Sequence, residues 1–333
     1  MPRYVTSTVT EILASRPGLQ RVATSAGRAY VLTELIGPVG VGDSVVLNTT
    51  AVELGLGTGG WHVVHWNLAR DEWSQAGPGH IMKLRYTSLQ TDTGAAEEQH
   101  PDLPESIGGL PVVACSLHSQ VGVVAAVVRA LRPAARIVYV MTDGAALPLA
   151  LSDLMFDLRG RGIVDGAITA GHAFGGDLEA VTVASALVLA RHVLSADVVV
   201  VGMGPGVVGT GTALGTTAIE VAGILDTVAA LDGRGVLCVR ASSADGRERH
   251  QGISHHTATV LRLAHSKPIV PLPAALAAAA PDLGASVVEP PDVTALLTAQ
   301  DLRITSMGRG PAEDPAFFAA AGAAAACAAD QIA

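Results

Sequence analysis

The sequence predicts an α/β protein in two parts: a small antiparallel β-barrel-like domain, then a doubly wound, mostly parallel α/β sheet domain. Two observations carry that expectation. Up to about residue 90, short strand-like runs are separated by turn chemistry such as Arg16-Pro-Gly18, Ala26-Gly-Arg28 and Gly37-Pro-Val-Gly-Val-Gly-Asp43. Beyond Leu110, short runs that are apolar at nearly every position alternate with apolar helical segments. That is the pattern of strands buried on both faces of a parallel sheet.

Taken in order, residues 1–90 offer strands at 6–14, 20–24, 29–35, 44–47, 61–66 and 80–85. Val41-Gly-Asp-Ser-Val-Val-Leu47 reads as a barrel turn entering a strand, and the regular spacing favours a small barrel. Trp61, Trp66 and Trp73, with His62 and His65, are expected in the barrel core or at a domain interface. Residues 91–109, with Thr, Glu, Gln, Pro and Gly, read as a linker. Residues 110–333 offer strands at 111–115, 137–141, 166–170, 198–201, 236–240 and 268–271, with a weaker one near 285–288. Helices are expected near 120–131, 148–160, 178–194, 212–231, 255–265 and 292–299. Ser119, Asp177 and Ser254 stand where caps are wanted, and Pro148 suits a first turn. An Ala-rich helix near 314–329 is expected to pack on the body or on a second subunit.

Composition narrows the function classes. At 333 residues and 49% hydrophobic, the chain can bury two real cores. Aromatics make up only 3%, so Val, Ala and Leu must fill them. A formal charge of −9 argues against a nucleic-acid partner, which needs a dense basic surface. Cys115, Cys238 and Cys327 form no spaced pair, so neither a disulfide framework nor a thiolate metal site is expected. The start lacks a signal-peptide core, and no apolar run reaches the ~20 residues of a membrane helix. A soluble cytoplasmic protein without a membrane partner is the expectation, and the apolar helices suggest a homodimer.

Ligands of a parallel α/β sheet bind outside the C-terminal strand ends, and five polar loops leave strands there. They carry His118, Asp143, His172, Asp177, Glu179, His250, His255 and His256. His172 or His118 would act as acid or base, oriented by Asp143, Asp177 or Glu179. The plainer alternative is that these polar groups serve as loop and cap residues. In Val201-Gly-Met-Gly-Pro-Gly-Val-Val-Gly-Thr-Gly-Thr212, a strand runs into a glycine-rich loop and then an expected helix. Gly202, Gly204, Gly206 and Gly209, with Thr210 and Thr212, would hold an anion at the helix start, and Arg247 would add charge. Gly204-Pro-Gly-Val-Val-Gly209 also matches the dinucleotide fingerprint. However, no acidic residue follows the next strand, which ends in Arg240-Ala-Ser-Ser243. His250-x4-His255-His256 has the look of a zinc set, yet arginines at 240, 247 and 249 would repel a cation. No metal ligand is therefore assigned, His250 and His255 are placed with the ligand-binding residues, and the cofactor stays open.

In combination, Cys115-Ser-Leu-His-Ser-Gln120, Thr142-Asp-Gly144, Gly171-His-Ala-Phe-Gly-Gly-Asp-Leu-Glu-Ala180, the glycine loop and Gly252-Ile-Ser-His-His256 resemble an actinobacterial-type bacterial family of unknown function, DUF3866. The resemblance extends to Leu47-Asn-Thr-Thr-Ala-Val-Glu-Leu-Gly-Leu-Gly-Thr-Gly-Gly60 and Gly79-His-Ile-Met-Lys-Leu-Arg85. It implies membership and no activity, so no residue role is carried over. From the residues themselves, the leading expectation is an enzyme acting on a small anionic metabolite, phosphorylated ones included. The alternatives are a non-catalytic metabolite-binding or assembly protein and a nicotinamide-dependent oxidoreductase.

Overall fold

The computed structural model describes residues 1–332 and divides into two compact units, Met1–Gly94 and Ala95–Ala333. In the first, β1 (Tyr4–Arg16), β2 (Leu19–Thr24), β3 (Gly27–Leu32), β4 (Ser44–Asn48) and β5 (His62–Asn67) close a barrel in the order β1-β2-β3-β5-β4. All pairs are antiparallel except β3 with β5. The 13-residue β1 pairs with β4 through its first half and with β2 through its second. Irregularities after Val9 and Ile12 let one strand bend enough to serve both. Val9, Val22, Ala29, Val31, Val45, Leu47 and Val64 fill the barrel, and the one-turn helix α1 (Thr33–Ile36) adds Ile36. A second single turn, α2 (Thr50–Glu53), follows β4.

The strand expected at 80–85 shrinks to β6 (Met82–Lys83), paired with β7 (Thr91–Asp92) outside the barrel. Leu84 and Tyr86 have φ of 53° and 61°, which no strand accommodates. Trp61 is half-buried rather than core: it stacks on Tyr30 at 4.8 Å with the Arg28 guanidinium over its face.

The second unit holds one parallel sheet built from β8 (Pro111–Cys115), β9 (Ile137–Thr142), β10 (Gly166–Ala170), β11 (Leu178–Ala180), β12 (Val198–Met203) and β13 (Arg234–Cys238). Their order is β11-β10-β9-β12-β8-β13. Because strand side chains alternate between faces, Val113, Tyr139 and Val200 point to one side while Val112, Val138 and Val199 point to the other. The first side packs α3 (His118–Leu131), α4 (Asp153–Gly160), α9 (Val293–Ala299) and α10 (Pro315–Ala329). The second packs α5 (Val183–His192), α6 (Glu220–Ala230) and α7 (His255–Leu263).

This double winding fixes where a crevice can open. β12 lies between β9 and β8, and sends its chain to α6 on the second face. Both neighbours send theirs to α3 and α4 on the first. Connections therefore part on either side of the β12 end, the topological switch at which α/β sheets bind ligands.

Several expected boundaries move. Leu178–Ala180 adds a strand to the sheet edge, so α5 starts at Val183, capped by Thr182 and not by Asp177. α6 starts at Glu220, not near 212. Ser119 caps nothing, because the Gln120 side chain takes the buried amides of Ser116 and Leu117 at 3.0 and 3.1 Å. The Ala-rich α10 packs on α3 and the sheet within its own unit, since alanines admit close helix approach. Smaller pieces complete the chain: β14 (Ala241–Ser242) with β15 (Gly252–Ile253), β16 (Pro271–Leu272) with β17 (Ser286–Val287), and α8 (Ala274–Ala279). Among the described residues, no helix is long and apolar enough to cross a membrane.

Candidate functional site

The glycines of the β12 loop divide by role. A Cβ on Gly202 would lie 2.9 Å from the Cys115 carbonyl oxygen, and one on Gly204 would lie 2.5 Å from that of Ala146. Both positions are bare so that neighbouring backbone can pack. Gly206 has φ of 99° and nothing within 4 Å of its missing Cβ, so it serves the turn itself. Beyond it the chain enters no helix. It makes an exposed flap in which Gly209 bridges Thr216, and the Thr210 amide donates to the Gly215 carbonyl at 2.7 Å. Thr210 and Thr212 bond each other at 2.9 Å, and the Thr212 hydroxyl accepts from the Gly215 amide at 3.1 Å. They close the flap rather than face the crevice. Strand, tight turn and helix are the geometry of a dinucleotide loop, and here the helix is displaced to Glu220. In the turn Thr217–Ile219 that precedes it, the Ala218 amide is already taken by the Thr216 hydroxyl.

At the root of that loop, His118, the first residue of α3, links the end of β12 to the start of α4. Its Nδ1 lies 3.1 Å from the Met203 carbonyl and its Nε2 2.6 Å from the Ser152 hydroxyl. A carbonyl only accepts, so Nδ1 carries the proton and Ser152 donates to Nε2. Tyr139 donates to the Gly202 carbonyl at 2.9 Å, on the same strand end. Burial lowers the His118 pKa to about 4, against a smaller opposing pull from the Met203 carbonyl. Ser152 is buried and also accepts from the Met155 amide as the cap of α4. The arrangement has the order of a nucleophile–base pair, but both members are spent on holding three elements together.

Across β12, two carboxyls converge. Thr142, the last residue of β9, donates to Glu220 Oε1 at 2.6 Å. Burial raises the Glu220 pKa to about 7; the Thr142 bond opposes this and the nearby Asp143 charge adds to it. Asp143 is exposed and accepts from the His172 amide at 3.1 Å. Glycines make the room: a Cβ on Gly144 would lie 2.7 Å from Glu220 Oε2, and one on Gly171 would strike Asp143 Oδ2. The structure thus brings together Asp143, the backbone at His172 and Glu220. Glu220 is the residue that sequence reasoning passes over, because a helix expected from 212 buries the one clue, its place at a helix start.

The other two acidic candidates lie elsewhere. After His172 the chain folds back before pairing as β11, so Asp177 accepts from the Ala167 amide at 2.9 Å, near the start of β10. It also pairs with Arg159. Asp177 is therefore at the opposite end of the strand from the crevice. Glu179 accepts from the Gly175 amide and the Thr169 hydroxyl, both at 2.7 Å, which fixes the turn.

At the edge strand β13, the chain continues through Arg240 into a compact loop. Arg240 is 7% exposed, and its Nη1 lies 2.9 Å from His256 Nδ1. Burial, with the nearby Arg247 charge, lowers its pKa to about 10. Arg247 is held by Asp245 in a two-pronged bond at 2.9 and 2.7 Å. Its charge is answered inside the loop. Ser254 caps α7 as expected, and its hydroxyl sits 2.8 Å from His250 Nδ1. The His250, His255 and His256 rings cluster at 4.4 to 5.1 Å between centroids. Burial, reinforced by Arg240, lowers His250 to about 4 and His256 to about 3, and His255 shifts the same way. All three are neutral imidazoles at pH 7. One ring nitrogen of each lies within 4.8 Å of the others, a spacing that could hold a metal ion. α7 packs on the turn Thr217–Ile219 that leads into α6, so the cluster adjoins the approach to Glu220.

The family model for a protein of unknown function, DUF3866, matches residues 28–325. The chain belongs to that family. Neither the curated proteins nor the solved structures provide a match.

Proposed function

We propose that this DUF3866 chain is a cytoplasmic enzyme that transforms a small anionic metabolite at the C-terminal strand ends of its α/β unit. The observation that carries the reading is the pairing of Glu220 with Asp143 where β12 and β9 part. A carboxyl that titrates near 7 can both give and take a proton at working pH. In this reading Glu220 is the acid–base group, Asp143 tunes it, and Thr142 aims it. His118 becomes a positioning residue, since both its nitrogens hold structure. The anionic character of the metabolite rests on Arg240, buried at a nearby strand end with no ion pair among the described residues.

The competing reading is a non-catalytic metabolite-binding protein. It draws support from how many strand-end groups are spent on structure: Glu179 on the Gly175 amide and Thr169, Asp177 on the Ala167 amide and Arg159, and Ser152 on the Met155 amide and His118. A screen of phosphorylated and carboxylate metabolites with wild type and Glu220→Gln separates the two. Turnover that collapses in Glu220→Gln while binding persists supports the enzyme. Binding in both proteins without turnover of any compound supports the binder. A homodimer would have to use exposed apolar side chains such as Val208 and Leu214, since α10 is consumed within its own unit; sedimentation tests it.

A further inference from the structure

We propose that Arg240, His255 and His256 form a pocket for a phosphate-type oxyanion, and that this cluster is not a metal site. A guanidinium has donors and no acceptor, so the 2.9 Å contact from Arg240 Nη1 requires a bare Nδ1 on His256. A neutral ring with a bare Nδ1 must carry its proton on Nε2. That Nε2 is buried without any partner, on a side chain only 4% exposed. His256 therefore presents a buried donor that lacks an acceptor, which is costly unless something supplies one. His255 Nε2 is likewise buried and unpartnered, on a ring 4.4 Å away.

Charge points the same way. Arg309 reaches Asp314 at 3.3 Å and Asp245 at 3.7 Å, and Arg247 reaches Asp245 at 2.7 Å. Arg240 alone of the three has no carboxylate within ion-pair distance among the described residues, although it is the most buried. Asp245 pulls on it only from beyond ion-pair distance and is already held by Arg247 and Arg309, so this buried cation calls for a further anion. The positive end of α7, which begins with these two histidines, adds to the same field.

A metal ion fails the same test. Binding it through His256 Nε2 needs that nitrogen bare and the proton moved to Nδ1, where it would face the Arg240 N–H. The ion would also sit beside Arg240 with Arg249 nearby. A multiply charged oxyanion instead accepts from His256 Nε2, from His255 Nε2 and from the guanidinium, as phosphate groups do with arginine.

As the grip on the substrate's anionic group, the pocket rests on the function proposed above; as a phosphate site it is tested without turnover. Inorganic phosphate is titrated calorimetrically into the full chain at constant ionic strength, with chloride as control and sulfate as competitor. Saturable binding is expected, weakened about tenfold or more in Arg240→Met and by a smaller factor in His255→Gln. Equal affinity in wild type and Arg240→Met, or no saturation, overturns the proposal. Should the variants fail to fold, long-range proton–nitrogen spectra of the wild-type histidines decide. A His256 protonated on Nε2 that shifts with phosphate supports it, and one protonated on Nδ1, or unmoved by phosphate, refutes it. Stoichiometric zinc retained after purification and lost on His256→Gln would also refute it. Phosphate binding as expected, with no metabolite ever turned over, would sink the enzyme and leave the pocket standing.

Discussion

The two ionisable strand ends of this sheet are built on opposite electrostatic plans. Where β9 and β12 part, Glu220 and Asp143 face one another and neither makes an ion pair among the described residues. Beyond β13, Arg240, Arg247, Arg249 and Arg309 gather around the histidines, against Asp245 and Asp314. Burial acts in both places, but it penalises whichever form is charged. It therefore leaves Glu220 holding a proton toward neutrality while His250 and His256 have given theirs up. Like charges reinforce the effect on each side. One end of the sheet is equipped to exchange a proton, the other to receive negative charge.

The sharpest way to break this contrast is to remove the titrating carboxyl. Glu220→Gln keeps the shape and an oxygen for Thr142. Turnover is expected to fall by roughly 10²–10⁴-fold, the usual worth of a general acid–base group. Steady-state kinetics on the metabolite found by screening would read it, and unaltered turnover would remove Glu220 from the chemistry.

The second test uses pH and should give opposite signs at the two ends. Glu220 titrates at about 7 when folded against 4.5 ordinarily, so the native state binds more protons between those values. Its contribution to stability is full below pH 4.5 and is lost as pH rises through 7. The histidines reverse this. His118 and His250 near 4 and His256 near 3 lie below their ordinary 6.5, so the unfolded state binds more protons in between. Their contribution is full above pH 6.5 and fades as pH falls through 4 toward 3. The windows overlap between pH 4.5 and 6.5, where the three histidines outweigh Glu220, so urea midpoints are expected to rise with pH there. Glu220→Gln should steepen the rise between pH 4.5 and 7, and His256→Gln should make it shallower between pH 3 and 6.5. A variant that changes the slope in the opposite direction contradicts the assignment.

How much of this can be read from sequence follows from what is local. Strands such as Val112–Ala114 and Val198–Val201 announce themselves because burial on both faces demands an unbroken apolar run. Ser254 is legible as a cap because a cap is a neighbour effect. Glu220 is not, since its position depends on the flap closed by Thr216 and Thr217, whose hydroxyls bond Val208 from eight and nine residues away. Asp177 misleads for a related reason. A polar residue after a strand is expected at the C-terminal edge, but here the chain reverses and adds β11, carrying Asp177 back to the other end. The histidine cluster is half legible. The spacing of His250, His255 and His256 is visible, whereas the tautomer that Arg240 imposes on His256 needs the three-dimensional contact.

The smallest expected effect separates glycines that look alike along the chain. Gly204 and Gly211 both sit in the loop after β12, yet a Cβ on Gly204 meets the Ala146 carbonyl and one on Gly211 meets nothing within 4 Å. Gly204→Ala must push apart the β12 end and the loop that carries Asp143, at a cost of about 1–3 kcal/mol. Gly211→Ala should change stability by less than about 0.5 kcal/mol. Thermal unfolding of the two variants compares them directly. If the loop's glycines existed chiefly to admit a ligand, Gly211→Ala would abolish binding even with stability spared. The flap geometry predicts that it leaves binding intact as well, while Gly204→Ala weakens the crevice by displacing Asp143 from Glu220.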